Sequence, residues 1–469
     1  MTKRIRIDPL PRAHPFIAVE VAVENKRVVD AWCTCNFFRG FEIILRDRDP
    51  RDAPYLTERI CGICSATHAT AASFALERAA GARPPRNGNL LRNLIHGADI
   101  LQGHLRHFYL YALPDYVRVP EVAPFAPGHT SDCRLPEKTN AALVEHLFQA
   151  VQVSRQADEM GALLGGKTPY SHGLLAGGSS VPPTADIVMT LRYKLKRVND
   201  FIENVMPDDA ARLAEAYPDY FEIGRRPVNM LSFGLFPTDE SDRERHFPPG
   251  VLVDGQKRPL DPGVITEDVT NSWYLGDDAP HPSLARTEPD REKQEAYSWA
   301  KAPRYGEESM EGGPLARRFL AGEGPARVST LDRHLARVEE VRKIGRLMDQ
   351  WLARLEPGEA VCTAFTPPEQ GEGAGLVDGP RGPLGHWLRI KNGRIANYEI
   401  VTPTAWNLSP RDQRGGRGAA EEALIGAPVP DEEDPVAIGR VIRAFDVCTS
   451  CTAHVMIPGR PVRRLVIVP

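Results

Sequence analysis

The chain has 469 residues, 42% of them hydrophobic, and a formal net charge of −4 at pH 7. That length can bury a large core, and the near-balanced charge offers no electrostatic footprint for nucleic acid. No apolar run is long enough to cross a bilayer, and the basic opening Met1-Thr2-Lys3-Arg4-Ile5-Arg6 is not followed by an apolar signal core, so no export signal of its own is expected.

Residues 16–23 alternate in polarity and lead through Glu24-Asn25-Lys26 into Val28–Trp32, which predicts a hairpin with a polar turn. From Leu56 to about Ala82 the spacing is helical, opening on Arg59-Ile60-Cys61-Gly62-Ile63-Cys64. A helix N-terminus favours thiolate over thiol, because free amides stabilise negative charge. His68 follows Cys64 by four residues, one turn along the same face. Leu90–Ala112 reads as a long amphipathic helix whose His104 and His107 are structural. Helical spacing returns over 135–164, 185–205 and 328–355. Residues 225–330, rich in Pro, Gly and charge, predict short strands. Asn392-Gly393 is a strong turn between Leu388–Ile390 and Ile395–Tyr398.

The eight cysteines are too sparse for a disulfide scaffold. Cys33 and Cys35 read as strand residues, and Cys133 and Cys362 as core thiols. The other four form two Cys-x-x-Cys pairs, Cys61/Cys64 and Cys448/Cys451, separated by nearly four hundred residues. Four thiolates suit a soft metal, and the separation excludes a finger folding around its own short loop. One pair alone would be a weak signal, since thiol redox motifs share the spacing.

Arg-x-Cys-Gly-x-Cys followed by His68, and Asp446-x-Cys-x-x-Cys-x-x-His454, resemble the two metal-binding motifs of the nickel–iron hydrogenase large subunit. Gly379-Pro380-Arg381-Gly382-Pro383-Leu384, Thr402-Pro403-Thr404-Ala405-Trp406-Asn407 and Arg48-Asp49-Pro50 extend the resemblance through most of the chain. So many ordered matches carry more weight than any one short motif. The resemblance implies an α+β, mainly α fold: a large helical core with small flanking β-sheets. It implies one domain over 1–469, with an N-terminal β region and outer-metal loop (1–53) and a helical core with the first cysteine pair (54–224). An irregular region (225–327), a helix, hairpin and second pair (328–454) and a cleavable tail (455–469) follow.

By the same resemblance Cys61 and Cys448 are terminal ligands of nickel, and Cys64 and Cys451 bridge it to an iron carrying CO and two CN ligands. Glu42, the Ile400 carbonyl and His454 hold an outer magnesium (or iron). His68 bonds a cysteine sulfur, while Pro380, Leu384, Pro403 and Thr404 pack around the iron's ligands. Arg381 lies above the metals, held by Asp446, because a guanidinium keeps its charge beside a reacting centre.

Three positions depart from the family. His14 stands where a proton-shuttling glutamate is usual, and with an unperturbed pKa of about 6.5 an imidazole can relay protons; exit by another route is the equal alternative. Gly103 stands where an aspartate often anchors the arginine, and Val447 replaces a proline.

The expected activity is heterolytic cleavage of H2 in the uptake direction. No cysteines remain for an iron–sulfur chain, so electrons are expected to pass to an iron–sulfur small subunit in an obligate heterodimer, with a dimer of heterodimers left open. A maturation protease and nickel chaperones are further expected partners. The cytoplasm is the favoured compartment, with membrane association or export through a partner's signal open. A hydrogen sensor of slow turnover is the alternative. A quinone-module subunit of respiratory complex I ranks last, since that relative has lost the cysteines.

Overall fold

Four long helices, Arg86–Arg106, Glu137–Gly165, Ala185–Asn204 and Thr330–Arg354, turn their apolar stripes onto one another. Leu94, Leu101 and Leu105 of the first recur one or two turns apart and meet Leu143, Leu147, Leu195, Ile344 and Trp351 in one buried cluster. Each such side chain contributes about 1.5–3 kcal/mol on burial. The last helix begins where the sequence marks it, with the Ser329 hydroxyl oxygen accepting the Asp332 amide at 3.1 Å. The computed structural model describes residues 2–13, 16–120, 132–238 and 244–448.

Small antiparallel sheets flank this core, in agreement with the expected α+β, mainly α class. The first joins Lys3–Ile7, Ile17–Glu24 and Arg27–Cys35 in that order. Its predicted turn has both central residues, Asn25 (φ 49°) and Lys26 (φ 60°), in the left-handed region, as a two-residue hairpin loop requires. Its inner face, with Val19, Val21, Ala31 and Cys33, packs against helices Ala419–Leu424 and Val436–Ala444.

A second sheet joins Gln370–Gly379, Gly382–Lys391 and Arg394–Val401. Its first strand lies directly on helix Ser65–Ala80. Contact is so close that a Cβ at Gly373 would stand 2.0 Å from the Ala75 carbonyl oxygen. The pairing of Gly379 with Gly382 leaves Pro380 and Arg381 as the hairpin's loop.

Two expectations need correction. The helix predicted over 56–82 is two helices, Ala53–Glu58 and Ser65–Ala80, with the Cys-Gly-Ile-Cys segment between them. The Arg39 guanidinium donates to the carbonyls of Arg59 (2.9 Å) and Ile60, holding the segment out of the helix. Cys64 is therefore the N-cap of the second helix, and Cys61 precedes it. Secondly, Cys362 is exposed and Cys133 half-buried, so neither is a core thiol; Cys362 sits where the connection between helix Thr330–Arg354 and strand Gln370–Gly379 bridges to Gly178.

Candidate metal centre

Cys61, Cys64 and Cys448 form a buried cluster of their own. The sulfurs of Cys61 and Cys448 lie 3.4 Å apart, and the Ile63 amide donates to Cys61 Sγ at 3.4 Å. A disulfide would bring the two sulfurs to about 2.05 Å. A shared tetrahedral metal with bonds of about 2.3 Å would hold them about 3.8 Å apart. The spacing and the soft donors fit a metal after a shift of a few tenths of an ångström. Among the described residues no three His, Cys, Asp or Glu side chains already close around an ion. Cys451, the fourth expected ligand, lies outside the described residues, as do His454 and His14.

Chain segments from four places converge on this cluster. Cys448 follows helix Val436–Ala444 by way of Asp446, whose φ of 55° is left-handed, a strained conformation that turns the chain sharply. Thr404, near the start of helix Pro403–Asn407, accepts the Cys448 amide on Oγ1 at 3.1 Å. Its hydroxyl proton remains available to a ligand. Pro380 and Leu384 are in the hairpin, where Leu384 is wholly buried against the Ser65–Ala80 side of the sheet.

Arg381 is 2% exposed, and its Nη2 lies 3.2 Å from Asp446 Oδ1. Among the described residues, Nε, Nη1 and the second oxygen of Asp446 are buried with no hydrogen-bond partner. Such orphaned donors beside three thiols fit a bound group with acceptor atoms. Burial alone would lower the guanidinium pKa; the charges of Asp446, Cys448, Cys64 and Cys61 outweigh it and push the value well above the ordinary one. Gly103 faces Pro380, with 3.8 Å of room where a side chain would begin. Asp446 is thus the one carboxylate within ion-pair distance of Arg381 among the described residues.

The Arg381 loop is fixed by residues that sequence reasoning missed. Asn407 Nδ2 donates to the Arg381 carbonyl at 3.1 Å, and its Oδ1 accepts the Gly312 amide at 3.0 Å. Arg317 donates to Asp378 (2.7 Å) and to the Gly379 carbonyl (3.2 Å), and also to Glu340, which accepts from His104 at 2.9 Å. This buried network pins the hairpin to two core helices. Asn407 stands in a motif that the sequence singled out and Arg317 in the Pro- and Gly-rich region, but no local spacing joins them.

His68 Nδ1 lies 3.2 Å from His386 Nε2, and His386 Nδ1 lies 2.8 Å from the Tyr398 hydroxyl. Burial holds His68 down to about 3 and His386 well below its ordinary value, so both rings are neutral. With the Tyr398 hydroxyl donating, His386 donates from Nε2, and His68 accepts on Nδ1. That leaves the His68 Nε2–H as a donor. The Cys448 charge is what favours protonation of this ring.

Glu42 and Ile400 line one cavity of about 40 Å³, with Glu267, Lys301 and Tyr274. Lys301 Nζ contacts Glu267 (3.2 Å) and Glu399 (3.1 Å). Burial, then the charge of Glu399, push Glu42 up to about 7, against the pull of Lys301. Three carboxyl groups thus face one ammonium, an imbalance that a hard divalent cation would correct.

The family model for nickel-dependent hydrogenases matches residues 39–133, 117–327 and 323–454. The chain is 37% identical to the periplasmic [NiFeSe] hydrogenase large subunit of Desulfomicrobium baculatum, covering 97% of this chain and 95% of that one. It is 32% identical to the uptake hydrogenase large subunit of Rhizobium leguminosarum bv. viciae, covering 97% and 96%. The solved Ni-Fe-Se hydrogenase from D. vulgaris Hildenborough superposes with a TM-score of 0.93 at 39% identity, over 97% of this chain and 100% of that one. The chain belongs to the nickel-dependent hydrogenase family, as one of its large subunits. It is a nickel–iron hydrogenase enzyme. The expectation of a cytoplasmic protein finds no support, since the Desulfomicrobium relative is named as periplasmic. Among the described residues no helix is long and apolar enough to cross a membrane.

Proposed function

We propose that this chain is the catalytic subunit that splits H2 heterolytically and passes the electrons to an iron–sulfur small subunit, in the uptake direction. The observation that carries this reading is the meeting of Cys61, Cys64 and Cys448 beside Arg381, whose Nε and Nη1 groups have no partner among the described residues. Cys61, Cys64, Cys448 and Cys451 would hold the nickel–iron centre with its CO and CN ligands. That centre supplies a soft, redox-active Lewis acid for an apolar substrate. The thiolate sulfurs are the bases nearest to it and take the proton. Arg381 keeps its charge throughout and presents two N–H donors that orient the centre and exclude water. Asp446 balances that charge. The Thr404 hydroxyl, whose oxygen accepts the Cys448 amide, would donate to a cyanide nitrogen. Glu42, the Ile400 carbonyl and His454 would hold a magnesium (or iron) ion and so close the C-terminal end onto the core.

Among the described residues, the remaining cysteines, 33, 35, 133 and 362, enter no group of three or more metal-binding side chains. A partner must supply the iron–sulfur clusters. Cleavage of the 455–469 tail after His454 by a maturation protease, with nickel delivered by chaperones, belongs to the same reading, as does export on a partner's signal. The test is hydrogen-dependent dye reduction by the purified complex, with nickel and iron measured on the same sample. Cys61→Ser and Cys448→Ser should each lose nickel and turnover together. Full nickel retention in both would remove the thiolate centre from the explanation.

A further inference from the structure

A proton released at a buried centre needs polar groups to carry it out, and one set stands beside the first cysteine pair. A cavity of about 10 Å³, the room of one water, is lined by Ser65, Asp99, Asp158, Lys167, Thr168 and Ser171 among others. Ser65 adjoins Cys64, and its oxygen accepts the Tyr170 amide at 3.2 Å, which leaves its proton free to donate. Asp99 is on helix Arg86–Arg106, and its Oδ2 is sealed from solvent with no hydrogen-bond partner among the described residues. Gln102, one turn on, donates to the carbonyl of Ile63, inside the Cys61–Cys64 segment, at 3.0 Å. It also steadies the ionised form of Asp99. At the outer end Asp158 pairs with Arg106, and both side chains reach solvent, at 22% and 31% exposure.

We propose that Asp99 is a proton relay, carrying protons between the thiolates of the first cysteine pair and Asp158 at the surface, through the cavity beside Ser65. The step is proton transfer alone. A proton leaves a cysteine sulfur for the Ser65 hydroxyl or the cavity water, which passes one on to Asp99; Asp99 then gives one to Asp158, Asp158 releases one to bulk water, and every group ends as it began. The groups facing Asp99 suit it to this. Burial, then the charge of Asp158, hold its proton well above the ordinary carboxyl range, while Arg381, Gln102 and Arg106 oppose them. Glu58, wholly buried on the neighbouring helix, is pushed up to about 8 by burial and by Asp99, against Arg59 and Lys167. Asp158 is likewise raised by burial, against Arg106. Three carboxyls that hold their protons more tightly than usual thus line one short path from the cysteine pair to the surface.

The inference rests on the hydrogenase reading above, and the experiment separates the two. Asp99→Asn, Asp99→Glu and Asp158→Asn are prepared in the complex with its partner. Asp99→Asn should lower hydrogen-dependent dye reduction about ten- to hundredfold, raise the solvent deuterium isotope effect, and leave nickel content unchanged. Asp99→Glu should restore most of the rate, and Asp158→Asn should give a smaller loss of the same kind. An Asp99→Asn complex that keeps nickel and turns over within about twofold of the parent, with the same isotope effect, overturns the relay. Loss of nickel from both Asp99 variants also overturns it, since Asp99 would then be structural. The infrared C=O band of a protonated carboxylic acid, present in the parent and lost in Asp99→Asn, is read independently of turnover. A parent complex inert toward hydrogen defeats the hydrogenase reading, while absence of that band defeats the relay.

Discussion

Gly375 lies against Ala71 so closely that a Cβ built on it would stand 1.7 Å from the Ala71 carbonyl oxygen. Two rigid backbones meet there, the strand that leads to Arg381 and the helix capped by Cys64. Gly375→Ala must force them apart, and overpacking of this kind costs up to about 3 kcal/mol or more. The expected outcome is a large fall in Tm together with loss of nickel, read by thermal unfolding and metal analysis. A Gly375→Ala protein as stable as the parent would mean that the strand and helix are not held at this separation.

Arg381→Lys keeps a positive charge opposite Asp446 but removes the planar fork. The ammonium can satisfy Asp446 or reach the centre, not both in the present geometry. Nickel content should match the parent while turnover falls about a hundredfold, in the range for losing a preorganised donor. Single-turnover measurements with metal analysis check both halves of this expectation.

Glu42 binds its proton more tightly in the fold than its ordinary value of 4.5 allows, at about 7. Protonation therefore favours the folded state, and that contribution is lost as the pH rises through the range between those two values. A divalent cation reverses the trend, because it binds the carboxylate. With chelator present the Tm should be lower at about pH 8 than at about pH 6, and magnesium should raise it more at the higher pH. Glu42→Gln should flatten both dependences, a result that differential scanning calorimetry resolves.

Tyr398→Phe removes the donor to His386 Nδ1, so the order of donors that ends at His68 is no longer imposed. The buried nitrogen left without a partner costs about 1–3 kcal/mol. A loss of stability of about 1–3 kcal/mol, read as a lower Tm, with altered infrared bands of the metal's diatomic ligands, is the expected result.

The elements that were legible in the sequence are those whose signal is local. The Asn25-Lys26 and Asn392-Gly393 turns and the long amphipathic helices all follow from neighbouring residues. Strand Gln370–Gly379 has no local signal, because its alternating glycines remove the apolar alternation that marks a strand. Their purpose, close approach to Ala71 and Ala75, belongs to a helix three hundred residues earlier in the chain. The break at Arg59–Cys64 was missed for a similar reason, since Arg39 imposes it from outside the helix. The cysteines and Arg381 could be placed from motif resemblance. The supports of Arg381, namely Asn407 and the Arg317–Asp378–Glu340 network, exist only once the chain has folded.

Cys61 and Cys448 touch across 387 positions of chain. At a synthesis rate of about 5–20 residues per second, the second thiol leaves the ribosome roughly 20–80 s after the first. For that interval the first pair is exposed to oxidants, with no partner but itself. The two halves of the site are thus separated in time as well as along the chain, and biogenesis must keep Cys61 and Cys64 reduced and uncommitted until the last few dozen residues arrive. Any agent that captures those thiols during translation would yield a well-folded helical body that can never be loaded.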